Sequence, residues 1–147
     1  MNPADIKELL PFITIHERLG RYDTRGRLTG TAIDEMFGAN FTGVNLFDLY
    51  DRADHDFFAK LHDNMLNTPC GSRTWRRVLM PDGERFVIES MHLPLADEAC
   101  KPIFLLTLMG TQPDYRPSET APHKNDIATL EKTIEYLDLG FGLPPDS

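Results

Sequence analysis

Cysteine is scarce: the chain has two in 147 residues, Cys70 and Cys100. That excludes a disulfide-built scaffold, since small secreted domains that rely on cross-links carry more of them. Two reduced thiols in a cytoplasmic protein are expected. Basic charge is scarce too, with 15 Lys and Arg against 23 Asp and Glu, a net charge of −8 and a pI near 5.0. A duplex-binding protein displaces counterions with a basic face, and the local pair Arg76 and Arg77 is all that stands out here. Nucleic acid and an anionic membrane surface are therefore excluded as expected partners. Long apolar runs are absent. The longest, around Ile103 to Met109, has strand length and falls far short of the roughly 18 residues that mark a membrane span. The N-terminal MNPADIKELL lacks the basic-then-apolar order of a signal peptide.

Catalytic signatures are missing as well. There is no nucleophile elbow, phosphate loop or dinucleotide fingerprint, and the Asp, Glu, His and Cys residues are scattered rather than paired for acid–base work. His16-Glu17 begins like a zinc-protease motif, but the second His is lacking. Asp51, Asp54, His55 and Asp56 cluster where acids cap a helix start and offset its dipole, and their spacing matches no metal loop. The expectation is a non-enzyme without a metal.

What is present is an ordinary globular composition, 41% hydrophobic and 26% charged, in a chain long enough to bury a core without staples. Pro3 to Leu10 can form a short helix stopped by Pro11. Phe12 to Ile15 and Arg21 to Leu28 read as strands around a turn near Leu19-Gly20. Thr31 to Gly38 reads as a helix of barely two turns, with Thr31 as N-cap and Gly38 as its left-handed end. Asn45 can cap another short helix, Leu46 to Tyr50. A longer helix over 54–67, capped by Asp54 or Asp51, carries Phe57, Phe58, Leu61, Met65 and Leu66 at helical spacing. Three strands follow, Arg73 to Met80, Arg85 to Leu95 and Pro102 to Met109, the first two joined by the turn Pro81-Asp82-Gly83-Glu84.

The order is β-β, short helices, one longer helix, β-β-β. With it go Leu9-Leu10-Pro11, Arg27-Leu28-Thr29-Gly30-Thr31, Phe37-Gly38, Thr42-Gly43 with Leu46 to Leu49, Pro81-Asp82-Gly83 and Leu93-Pro94-Leu95. In these residues the chain resembles the short stand-alone PAS proteins found mainly in alphaproteobacteria. The resemblance covers about residues 3–110. It implies an α+β fold, a five-stranded antiparallel sheet with short helices on one face, acting as a sensory or signal-relay domain. PAS domains bind small ligands between sheet and helices, or bind other proteins through the sheet, so a ligand-free adaptor regulating a separate signalling protein is the alternative.

On that basis Phe37, Phe58, Leu61, His62, Met65, Met91 and Leu106 are the candidate pocket residues. No cofactor is expected. The Asn-Cys-Arg-Phe-Leu-Gln run of flavin photosensors is absent, and haem would need an axial His on the long helix, where His62 is the residue available. Trp75 and Arg76 have the composition of a protein contact, although Trp75 can equally be partly core. A Pro-rich connector is expected over 111–124 and an amphipathic helix with its tail over 125–147. In that helix Ile127, Leu130, Ile134, Leu137 and Phe141 recur at spacings of 3, 4, 3 and 4. Such a seam must rest on its own sheet, on a second copy or on a partner, and a homodimer is expected.

Overall fold

The computed structural model describes residues 2–116, 127–145 and 147. The β-branched Ile13-Thr14-Ile15 run opens β1 (Ile13–Gly20), which turns at Arg21-Tyr22 into β2 (Asp23–Thr29), one to two residues later than the sequence suggests. α1 (Thr31–Phe37) ends on Gly38 in the left-handed conformation, φ 68°, as expected. Its N-cap, however, is Gly30, which gives no side-chain cap. Asn45 caps a single 3-10 turn by accepting the Phe47 amide, and Asp51 caps another through Ala53. α2 (His55–Asn67) buries Phe58, Ala59, Leu61, His62 and Met65. β3 (Gly71–Leu79), β4 (Arg85–Ala96) and β5 (Pro102–Pro113) complete the expected set.

Neighbouring strands all pair antiparallel, in the order β2-β1-β5-β4-β3-β6. The sheet thus has six strands where five were expected, and the sixth corrects the terminal helix. Ala128–Leu137 is a strand, β6, paired along β3 from Gly71↔Leu137 to Leu79↔Ala128. Its residues obey a period of two as well as a heptad. Lys132, Ile134 and Tyr136 lie opposite Arg76, Thr74 and Ser72, while Glu131, Thr133 and Glu135 lie opposite Arg77, Trp75 and Arg73. Thr129, Thr133, Ile134 and Tyr136 favour a pleated surface, and β3 offers an edge whose amides and carbonyls would otherwise lack partners. Of the supposed seam, Ile127 is buried, Leu130 falls at the register break of the bulge, Ile134 packs on the α2 core, Leu137 is half-buried and Phe141 is 71% exposed. The connector expected over 111–124 is strand as far as Pro113, and 117–124 lies outside the described residues.

Two apolar clusters lie between the sheet and the helices. One joins Phe47, Phe58, Leu61, Met65, Cys70 and Leu105. The other joins Val78, Met80, Ile88 and Ile127. Gly30 lets α1 start against the N-terminal segment, since any Cβ there would overlap the carbonyl oxygens of Pro11 and Leu10. Gly30→Ala is expected to lower unfolding stability by about 1–3 kcal/mol, the cost of overpacking. Urea denaturation checks this, and an unchanged midpoint would show that the segment yields freely.

Candidate functional site

Strand alternation aims a polar set at the helices. Thr14 and His16 on β1, Thr74 and Arg76 on β3, Ser90 and His92 on β4, and Thr107 on β5 all face inward. With Phe37, Leu49, Tyr50, Phe58, Leu61, His62, Ile88, Leu105, Met109 and Ile127 they enclose a cavity of about 70 Å³. That is room for roughly five water-sized groups, against the 300–1,000 Å³ or so of sites for drug-sized ligands.

Hydrogen bonds order the histidines. Arg18 donates to Thr24 Oγ1 at 3.0 Å, and Thr24 Oγ1 lies 3.1 Å from His62 Nδ1. Arg18 also approaches that nitrogen at 3.5 Å and is itself held by Asp63 at 2.8 Å. Because a guanidinium only donates, Nδ1 is the acceptor and the neutral ring carries its proton on Nε2. Burial holds His62 well below the usual imidazole range, and the Arg18 charge adds to the effect. On the sheet, His92 spans two strands, with Nδ1 2.9 Å from Thr107 Oγ1 and Nε2 3.1 Å from Thr74 Oγ1. Desolvation lowers it to about 3, with the Arg76 charge contributing. His16 is lowered to about 4 by burial. All three rings are therefore uncharged at neutral pH.

Arg76 is then the cation of the cavity. It is 5% exposed. Its guanidinium carbon lies 5.0 Å from the ring centre of Phe58 and 5.5 Å from that of Tyr50. Thr129 Oγ1 accepts from it at 3.5 Å. Among the described residues no carboxylate forms an ion pair with it. Two further polar atoms of the wall, Thr14 Oγ1 and Ser90 Oγ, are buried without a protein partner. Thr29 Oγ1, Asp34 Oδ1 and Arg77 Nη2 share that condition but lie away from the cavity.

Of the expected pocket residues, Phe37, Phe58, Leu61 and His62 line the cavity. Met65 is buried beside it and accepts from Ser72 Oγ through its sulfur at 3.3 Å. Met91 and Leu106 belong on the other side of the sheet: they are outward neighbours of the inward Ser90, His92, Leu105 and Thr107, and Met91 is 42% exposed. Arg76 and Ile127, expected as contact residues, line the cavity instead. Trp75 faces outward, covered by the Arg116 guanidinium at 5.3 Å.

The acidic cluster is used structurally. Asp54 accepts the Thr129 amide at 3.0 Å and pairs with Lys132 at 3.6 Å, which ties β6 to the start of α2. The buried Cys70 thiol is pushed up by burial, and the Asp138 charge adds to it, the opposite of a reactive thiolate. His62 Nε2 could offer a lone pair to haem iron only in the other tautomer, and a macrocycle does not fit the cavity described.

The sequence profile of the PAS domain family matches residues 1–110. Among solved structures, a PAS domain from Colwellia psychrerythraea superposes with a TM-score of 0.55 at 15% identity, covering 75% of this chain and 96% of that one. No curated protein matches the sequence. The chain belongs to the PAS domain family, and its class is that of sensory and signalling domains. β6 lies beyond the matched residues.

Proposed function

We propose that this PAS domain is a non-enzymatic cytoplasmic sensor that takes a small molecule into the cavity between sheet and helices. One observation carries the reading. The buried Thr14 and Ser90 hydroxyls have no protein partner at the wall of a cavity lined by apolar residues and a convergent polar set. Buried polar groups nearly always find a hydrogen-bond partner, in the protein or in a bound small molecule such as water, and ligand sites combine apolar walls with a few convergent polar groups. Occupancy would act through the sheet, because Arg76, His92, Thr107 and Thr14 carry cavity contacts onto four strands. Native mass spectrometry of protein purified from its own host tests this. The expected result is a small adduct, one per chain, lost on unfolding; protein that is uniformly adduct-free would overturn it.

A second reading concerns the other side of the sheet, where the rows Ile15–Leu106–Leu93 and Leu108–Met91 place apolar side chains side by side across the central strands. We infer self-association through this side, replacing the expected contact through a terminal helix. Light scattering is expected to report a dimer, and Leu106→Glu a monomer of unchanged secondary structure. A wild-type monomer at high concentration would end the idea.

A further inference from the structure

We infer that the ligand of this cavity is a short-chain aliphatic monocarboxylate, its carboxylate held by Arg76 and Ser90 and its chain lying against Ile88, Met109, Leu49 and Ile127. The inference rests on the reading of the cavity as a ligand site and adds the chemistry of the occupant.

Charge comes first. Arg76 is a buried cation with no carboxylate partner among the described residues. A buried charge without a counter-charge is unfavourable, and natural proteins pair such groups. The Phe58 and Tyr50 rings offset part of that cost. They do not use the guanidinium N–H donors, which point outward in its plane and are five in number. The contact to Thr129 Oγ1, at 3.5 Å, is long, and among the described residues no other hydrogen bond from the guanidinium is found. A planar carboxylate is the group whose two oxygens match that fork.

Position comes second. Ser90 pairs with Thr74 across β4 and β3, and Thr74 is one inward step from Arg76, so Ser90 and Arg76 occupy diagonal positions on the inward side of the sheet, and the Ser90 hydroxyl is unpartnered. A hydroxyl there donates to the same anion. The histidines supply no further positive charge: His92 has both ring nitrogens engaged with threonines, and burial keeps all three rings neutral. One cation fits a monoanion better than a phosphate monoester, which carries close to two charges at neutral pH.

Size and wall come third. Ile88 pairs with Arg76, and Met109 pairs with Ser90, so the carboxylate end is next to apolar surface. Leu49 and Ile127 close the same side of the cavity and are joined by the Ile127 N–H to Leu49 carbonyl bond at 2.9 Å. A cavity of about 70 Å³ limits the chain to a few carbons.

The experiment is isothermal titration calorimetry at pH 7.5 on the full chain with butyrate, its neutral isostere butyramide, and hexanoate. Butyrate is expected to bind at least tenfold more tightly than butyramide, and hexanoate more weakly than butyrate. Arg76→Met is expected to lose butyrate binding at least tenfold while its melting temperature stays level or rises, because an unpaired buried charge has been removed. A purely structural Arg76 would instead lower the melting temperature on substitution. Arg76→Lys should recover part of the affinity, and Ser90→Ala should weaken butyrate more than butyramide. Butyramide binding as tightly as butyrate overturns the carboxylate assignment while leaving a ligand site in place. Absence of binding by all three compounds overturns the assignment as well; the ligand reading itself then stands or falls on the adduct seen by native mass spectrometry. The comparison of butyrate with butyramide needs no variant, so a misfolded substitution does not blunt it.

Discussion

Guanidinium unfolding at pH 7.5 and at pH 4.5 is expected to differ by at least about 2.5 kcal/mol, the acid form being weaker. The cause is His16 and His62, both buried in the cavity wall. Their folded-state values are depressed, to about 4 for His16 and well below the ordinary 6.5 for His62, chiefly by burial. As the pH falls below 6.5 the unfolded chain takes up protons that the folded chain refuses. Unfolding then binds protons, and stability drops. A group of this kind loses up to about 1.4 kcal/mol per pH unit, which over roughly two units gives the figure above for His16, and His62 adds to it in the same direction. The loss begins near pH 6.5, and for His16 it levels off below pH 4, where the folded ring also titrates. Half-buried His92, lowered to about 3, pulls in the same direction, and its partial solvent access moderates its share. His16→Leu should reduce the drop by about 2.5 kcal/mol. A difference under about 1 kcal/mol in the parent protein would mean that these rings are hydrated in solution.

Phe58→Ala is expected to destabilise the fold by about 3–5 kcal/mol. Phe58 is 4% exposed. It stacks on Tyr50 with ring centres 4.1 Å apart and planes 15° from parallel, meets Phe57 edge-on at 5.1 Å, and supports the Arg76 guanidinium. Truncation would remove the aromatic contacts and enlarge a cavity that already exists, so neighbours pinned to the sheet and to α2 cannot collapse into the space. The site itself should also respond, because Arg76 loses one of the two stacked rings it lies against. A change below about 0.5 kcal/mol in urea titration would show that the ring faces solvent.

Much of this body is legible residue by residue. The apolar stripe of α2, the Gly38 stop, the Asn45 cap and the turn at 81–84 are local signals, and local chemistry decides each of them. The cavity was harder to read. Along β4 and β5 both sides of the sheet hold large apolar residues, so hydrophobicity alone pointed to Met91 and Leu106. The inward side is instead the one interrupted by polar residues: Ser90, His92 and Thr107, with Thr74 and Arg76 on β3. The signal was present, as polar residues recurring every second position in otherwise apolar strands. β6 was misread for a different reason. Ile127, Leu130, Ile134 and Leu137 satisfy a heptad by spacing, yet what decides the segment is the hydrogen-bonding edge of β3, contributed by residues about fifty or more positions earlier. Arg76 could not be told from a surface arginine, because its isolation from carboxylates is a property of three-dimensional packing.

The arrangement of the sheet's margins bears on how the protein meets other chains. On the β2 side, isolated bridges from Thr42 to Gly26 and from Asn45 to Arg25 lay the 42–45 segment along the strand. A visiting peptide finds that margin occupied. On the β6 side the start is held by Leu49, whose carbonyl accepts the Ile127 amide, and by Asp51, whose amide donates to the Ile127 carbonyl, and the strand beyond it bears Glu131, Lys132 and Glu135. Charges on an exposed margin disfavour the stacking of identical sheets that leads to amyloid-like growth. A strand added along β6 would meet Glu131 and Glu135 on one side of the sheet and Lys132 on the other.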